Sequence, residues 1–166
     1  MRLYDLRTEY RENPIGLTTK APRFSWKMEA QEKDTLQTAY EIHVTDENGN
    51  VVWNSGKKAS AQSVLIPYEG EKLADEMLYK VEVSVTDNHG NVASIEGTFE
   101  TGIFDNTEFI AQMITGDFPE EETACPLFGK TFAIDKKVKK ARLYATAHGV
   151  YEVTLNGQTV GDYRMA

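Results

Sequence analysis

The chain is expected to be all-β, an antiparallel sandwich of short strands, and three observations predict it. Apolar and polar residues alternate with period two in most apolar stretches. Turn sequences recur about every 8 to 12 residues. No stretch has the apolar spacing of a helix.

Residues 1–10 alternate weakly, with Leu3, Asp5 and Arg7 against Tyr4 and Leu6, and read as a first strand. Asn13-Pro14-Ile15-Gly16 is turn chemistry, Pro setting φ and Gly free to take either sign. After Pro22, Phe24, Trp26 and Met28 share one face and Arg23, Ser25 and Lys27 the other. Residues 30–35 are polar loop. Residues 37–45 form a strand with Tyr40, Ile42 and Val44 on one face. A turn at 46–50 leads to a short strand at 51–53, and Asn54-Ser55-Gly56 turns again. Residues 63–68 are a strand closed by Glu69-Gly70. The cleanest strand is 78–86, with Tyr79, Val81, Val83 and Val85 alternating with Lys80, Glu82, Ser84 and Thr86. A turn at 87–91 precedes a last strand at 95–101. Residues 1–102 are therefore read as one sandwich of roughly seven strands, with Trp26 and Trp53 in its core.

Residues 103–107 are a connection, and residues 108–166 are read as the start of a second β-sandwich. Residues 109–114 and 127–134 are its predicted first strands, with an acidic loop at 115–126 between them. The lysines of residues 135–140 read as a solvated hairpin end, since the whole chain is acidic. Residues 141–161 read as strand, corner at His148-Gly149, strand, turn and strand start. Tyr151, Val153 and Leu155 line one face, and Asn156-Gly157 is a strong hairpin signal. Such an apolar face needs a facing sheet. Too little sequence remains to build one, so the expectation is a fragment whose missing strands come from elsewhere. Unpaired strand edges also make a homo-oligomer a candidate state.

A net charge of -8 argues against nucleic acid as a partner, because a phosphate backbone calls for a basic face. No run of 18 apolar residues exists, so no membrane-spanning helix is expected. The charged first ten residues lack the apolar core of a signal peptide, which suggests a cytoplasmic protein. Cys125 is the single cysteine, and the acidic residues before it would raise its thiol pKa, so it reads as unreactive. The octet V-T-D-x-x-G-N-V occurs twice, at 44–51 and 85–92. Asp46, Asn48 and Asn50 alternate as metal ligands could, but the glycine and closing glutamate of a calcium loop are out of place. Two hairpins of one turn type explain the echo, and neither a metal nor another cofactor is expected. His43, His89 and His148 form no site.

Trp26, Tyr40 and the pair Leu73 and Tyr79 give residues 1–102 a resemblance to fibronectin type III domains, which share the immunoglobulin-like sandwich. In that family the tyrosine in the place of Tyr79 makes a corner, its hydroxyl bonded back to the preceding loop. The strings L-R-T-E-Y-x-x-N-P-I-G-L (6–17), P-R-F-S-W (22–26), Q-T-A-Y-E-I-H-V (37–44), W-N-S-G-K (53–57), L-Y-K-V-E-V (78–83), F-E-T-G (99–102) and Y-E-V-T-L-N-G-Q-T-V-G-D (151–162) are more specific. Together they resemble the N-terminal part of bacterial α-L-rhamnosidases of glycoside hydrolase family 78.

The resemblance implies a fibronectin-like domain followed by a jelly-roll-like accessory sandwich. It implies a catalytic (α/α)6 barrel farther along, inverting the anomeric centre with two carboxyls roughly 6.5–9.5 Å apart. No residue of this chain matches that acid or base, so no catalytic residue is assigned. Phe109 and Met113 depart from the family, which has tryptophans there, and a Pro-Gly-Trp segment would normally follow the last residues. The implied role is a non-catalytic accessory region of a rhamnosidase, inactive alone, with the remainder of the parent enzyme as partner. A rhamnoside-binding module stacking sugar on Tyr144 and Tyr163 is one alternative, since Tyr151 sits in register with Val153 and Leu155 as core. A structural or self-associating module is the other.

Overall fold

The structure, a computed structural model, describes residues 1–105, 110–117, 119 and 125–161. The chain divides into two compact units, residues 1–110 and 111–166.

The first unit is built from seven strands: β1 (Arg2–Thr8), β2 (Arg23–Glu29), β3 (Gln37–Asp46), β4 (Val51–Asn54), β5 (Ile66–Pro67), β6 (Leu78–Asp87) and β7 (Val92–Glu100). They make a three-stranded sheet in the order β1-β2-β5 and a four-stranded sheet in the order β4-β3-β6-β7, with antiparallel pairing. The chain is all-β, and its first unit has the two-sheet immunoglobulin-like arrangement.

Strand β6 keeps the expected alternation, with Tyr79, Val81, Val83 and Val85 buried. From the other sheet β2 contributes Phe24 and Trp26. Phe24 is fully buried between the Trp53 ring at 6.1 Å and the Phe99 ring at 5.9 Å. Phe99 in turn stacks on Tyr79 at 5.1 Å. Both tryptophans thus lie in the core, Trp26 with its indole edge-on to Tyr40. Its ring N–H donates to Gln37 Oε1 at 3.0 Å, and the Gln37 amide donates to the carbonyls of Ser60 and Gln62. A buried glutamine thus satisfies a buried indole.

Two predicted strands differ in detail. Simple alternation would put Leu3 and Leu6 on opposite faces, yet both are buried. A bulge between Tyr4 and Arg7, with Asp5 at φ 54°, restores Leu6 to the core side. The predicted strand at 63–68 pairs only at Ile66–Pro67. Leu65 has φ 54°, and Pro67 has no N–H to give a ladder. The Leu65 N–H is held by Ser25 Oγ at 2.9 Å, and the Ser63 carbonyl by Trp26 N–H at 3.0 Å.

Tyr79 makes the corner, its hydroxyl accepting from Ala74 N–H at 2.8 Å over the buried Leu73. Residues 13–17 cover half the outer edge of β7. Asn13 Oδ1 accepts from Thr98 N–H at 2.8 Å, the Pro14 carbonyl accepts from Glu100 N–H, and Leu17 N–H donates to the Glu100 carbonyl. That half of the edge is closed to a foreign strand.

In the second unit the described residues form one hairpin, β8 (Thr154–Leu155) with β9 (Gln158–Thr159). Asn156 and Gly157 turn it at φ 51° and 80°, as the sequence predicts. The expected strands 127–134 and 141–147 form no ladder among the described residues. Leu127 is 98% exposed, and Phe132, Ile134 and Leu143 are more than half exposed. Period-two patterning specifies which face is apolar, but a strand persists only with a neighbour to pair with and a sheet to cover it. In the predicted strand 109–114, Phe109 lies outside the described residues, and residues 110–114 belong to no strand. Part of the acidic loop, residues 118 and 120–124, also lies outside them.

Candidate functional site

The acidic side chains of the first unit are mostly committed to its own architecture. Asp46 Oδ1 accepts from the N–H groups of Asn48 (2.9 Å) and Asn50 (2.8 Å), and Oδ2 accepts from the Asn50 side-chain amide at 2.8 Å. Asp87 repeats this with His89, Asn91 and the Asn91 amide at 2.9, 2.8 and 2.9 Å. The glycine of each loop, Gly49 or Gly90, has a positive φ and donates its N–H to the aspartate carbonyl. The echoed octets are therefore two copies of one carboxylate-anchored hairpin turn. Each carboxylate faces its own backbone donors, which leaves it poorly disposed toward a cation, and no metal-holding group occurs among the described residues.

Asp5 bridges Lys27 at 2.7 Å and Arg7 at 2.6 Å, and Glu9 grips Arg23 through both carboxylate oxygens at 2.9 and 2.7 Å. These partners set the acidities. Lys27 and then Arg7 hold Asp5 below the ordinary aspartate value, and Arg23 holds Glu9 low. The Asn50 amide leads the donors that lower Asp46. Burial pushes Asp87 up, but the donors from Asn91 and His89 together outweigh it and leave it lowered. A carboxyl lowered on folding contributes stability that is full above its unfolded pKa and lost as pH falls through the folded one. All four carboxyls have lowered values, so the urea midpoint of the first unit should be level at neutral pH and fall below about pH 4. A midpoint unchanged down to pH 2.5 or so would show that these contacts do not form in solution.

Two of the surface depressions among the described residues carry carboxylates. One, of about 550 Å³, lies over the ends of β3, β6 and β7 and carries Asp46, Glu47 and Glu96. Asp46 is held by its turn and Glu96 by Lys80 at 2.7 Å, which leaves Glu47 with no second carboxylate to work with. The other, of about 480 Å³, is lined by Met1, Arg2, Glu29, Ala30 and Gln31, and its one carboxylate faces Arg2 at 3.4 Å. Neither offers an acid and a base across a cleft, the minimum for glycoside hydrolysis.

The histidines lie apart from one another. His43 pairs with Glu41 at 2.9 Å, His89 approaches Glu32 at 3.6 Å, and His148 is exposed. Of the proposed sugar-stacking residues, Tyr144 is half-buried in the second unit and Tyr163 lies outside the described residues. Tyr151 is half-buried, its hydroxyl donating to the Ala145 carbonyl at 3.2 Å. Cys125 is exposed.

The feature sequence reading missed is where the chain leaves the first sandwich. Thr101 is 1% exposed. Its hydroxyl donates to the Ala74 carbonyl at 2.6 Å and accepts from Met77 N–H at 2.9 Å. Gly102 N–H donates to the Leu17 carbonyl at 2.7 Å, and the Gly102 carbonyl accepts from Glu76 N–H. A Cβ on Gly102 would stand 3.1 Å from the Gly16 carbonyl oxygen, so glycine permits this approach. The strings N-P-I-G-L and F-E-T-G were a partial signal, since they hold Leu17, Thr101 and Gly102, whereas Ala74, Glu76 and Met77 fall in neither.

Comparison with known proteins follows the same division. Residues 3–105 match the family described as the Rha78A-like N-terminal immunoglobulin domain, and residues 136–166 match the α-L-rhamnosidase N-terminal domain. An α-L-rhamnosidase of Formosa agariphila is 32% identical over 167 residues, which is 91% of this chain and 18% of that enzyme. One of Streptomyces avermitilis is 29% identical over 188 residues, 96% of this chain and 18% of the relative. Among solved structures, the Streptomyces avermitilis α-L-rhamnosidase complexed with L-rhamnose overlays 66% of this chain with 11% of its own, at TM-score 0.63 and 32% identity. The α-L-rhamnosidase from Dictyoglumus thermophilum gives 0.60 and 35% over 66% of this chain and 13% of its own. The chain thus spans about a fifth of the length of the curated relatives it matches.

Proposed function

We infer that this chain, which belongs to the Rha78A-like N-terminal immunoglobulin domain family, serves as the non-catalytic N-terminal accessory region of an α-L-rhamnosidase. In this reading the parent enzyme releases terminal α-L-rhamnose from glycosides, and the chemistry resides in the remainder of its length. The region would brace that remainder, the chain leaving its first sandwich at the Thr101 clamp. The observation that carries the reading is the commitment of the first unit's carboxylates. Both Asx-anchored turns and the ion pairs of Asp5, Glu9 and Glu96 use them structurally.

The test is direct. The purified 166-residue chain, incubated with an aryl α-L-rhamnoside, should release no rhamnose. Release that co-purifies with the chain through repeated chromatography would overturn the accessory role. L-rhamnose titrated against the labelled chain should leave its amide spectrum unmoved. Saturable shifts clustered around Tyr144 would instead favour a rhamnoside-binding module.

A further inference from the structure

The chain carries two Asn-Gly dipeptides, Asn48-Gly49 and Asn156-Gly157, and the fold treats them differently. Both asparagines are exposed at hairpin turns. A side chain on either glycine would meet nothing within 4 Å, so neither is shielded by bulk. The difference lies in the hydrogen bonds. Gly49 N–H donates to the Asp46 carbonyl at 3.0 Å, and the N–H groups of Asn48 and Asn50 are both held by the Asp46 carboxylate. The Gly157 N–H donates to no backbone group among the described residues, and its turn closes strands of only two residues each. Thr154, Leu155, Gln158 and Thr159 are all exposed, so little packing resists opening of the hairpin.

We propose that Asn156 is a self-modification site, deamidating through Gly157 while Asn48 is protected by its Asp46-anchored turn. The Gly157 nitrogen, its proton lost to water, attacks Cγ of Asn156. The bond from Cγ to the side-chain nitrogen breaks and ammonia leaves, closing a succinimide between the two residues. Water then opens the ring at either carbonyl, giving aspartate or an isoaspartyl link. One water is consumed and one ammonia released, with no change in oxidation state. Gly49 must first give up its hydrogen bond to expose the attacking nitrogen, and the Gly157 N–H holds none among the described residues. The isoaspartyl product lengthens the backbone by one atom inside a turn that requires two residues of positive φ, so the Leu155–Gln158 pair cannot survive it. This goes beyond the accessory role and does not depend on it. The affected hairpin lies in the segment that matches the α-L-rhamnosidase N-terminal domain.

The experiment incubates the folded 166-residue chain at mildly alkaline pH and maps its proteolytic peptides over time. A parallel sample is held in denaturant. In the folded chain the peptide containing Asn156 should convert to the acid form at least roughly fivefold faster than that containing Asn48, the factor one backbone hydrogen bond supplies. The Asn156 product should accept methyl groups from an isoaspartyl methyltransferase. In denaturant the two rates should converge. Equal rates in the folded chain, or faster loss at Asn48, would overturn the proposal. A preference that persists in denaturant would also overturn it, by assigning the selectivity to local sequence.

Discussion

Replacement of Phe24 by alanine should lower the stability of the first unit by about 3–5 kcal/mol. The ring is fully buried and bridges the two sheets, touching Trp53 on one side and Phe99 on the other. Phe99 is itself stacked on Tyr79, whose hydroxyl holds the corner. A cavity at Phe24 therefore borders the aromatic column that joins β2, β4, β6 and β7, and the close packing of the core limits how far it can collapse. A domain of this size has about 5–15 kcal/mol in all, so the variant should sit near the edge of folding. Both tryptophans of the chain belong to the first unit, so fluorescence reports its unfolding separately from the second. The urea midpoint should drop with an unchanged slope. A loss under about 1 kcal/mol would show that the column does not carry the core.

The second large effect is expected at Thr101. Thr101→Val keeps the shape and removes the hydroxyl, stranding the Ala74 carbonyl and the Met77 N–H. An unpaired buried group costs about 1–3 kcal/mol; Thr101 is buried but its two partners are only part-buried and water can reach them, so the pair together predicts a loss of roughly 1–3 kcal/mol. The signature separates it from Phe24. Amide exchange should accelerate first at Met77, Thr101 and Gly102, where the clamp lies, and only later in β3 and β6. Thr101→Ser, which keeps the hydroxyl, should recover most of the protection. Uniform acceleration across the sandwich, or no recovery with serine, would mean that the clamp has no separate existence.

The alternation of residues 78–86 was enough to place β6 and its buried face, because a strand buried on one side must repeat every second residue; the corner role of Tyr79 came from the resemblance to fibronectin type III domains. The echoed octets likewise announced two turns of one type. Alternation failed where the backbone departs from the pleat. Leu3 and Leu6 share a face through the bulge at Asp5, and Leu65 interrupts β5 with a positive φ. Neither departure leaves a signal in the order of polar and apolar residues. The second unit shows the opposite limit, since Phe132, Ile134 and Leu143 carry good strand patterning and remain exposed and unpaired.

By itself, then, the sequence determined the all-β class, the buried faces of the long strands, the hairpin turns and the kinship with α-L-rhamnosidases. The first three are local, written in neighbours one to five residues apart, and the kinship rests on short strings that occur in order along the chain. Only the tertiary structure decided that Asn13 would serve the edge of β7, that Gln37 would meet the indole of Trp26, and that Thr101 would tie Ala74 to Met77. It also committed Asp5, Glu9 and Glu96 to ion pairs. Apart from Asp5 with Arg7, these contacts join residues from 11 to 85 positions apart. A single polar side chain has no periodicity to betray its partner, and its partner is chosen by the packing of strands distant in sequence.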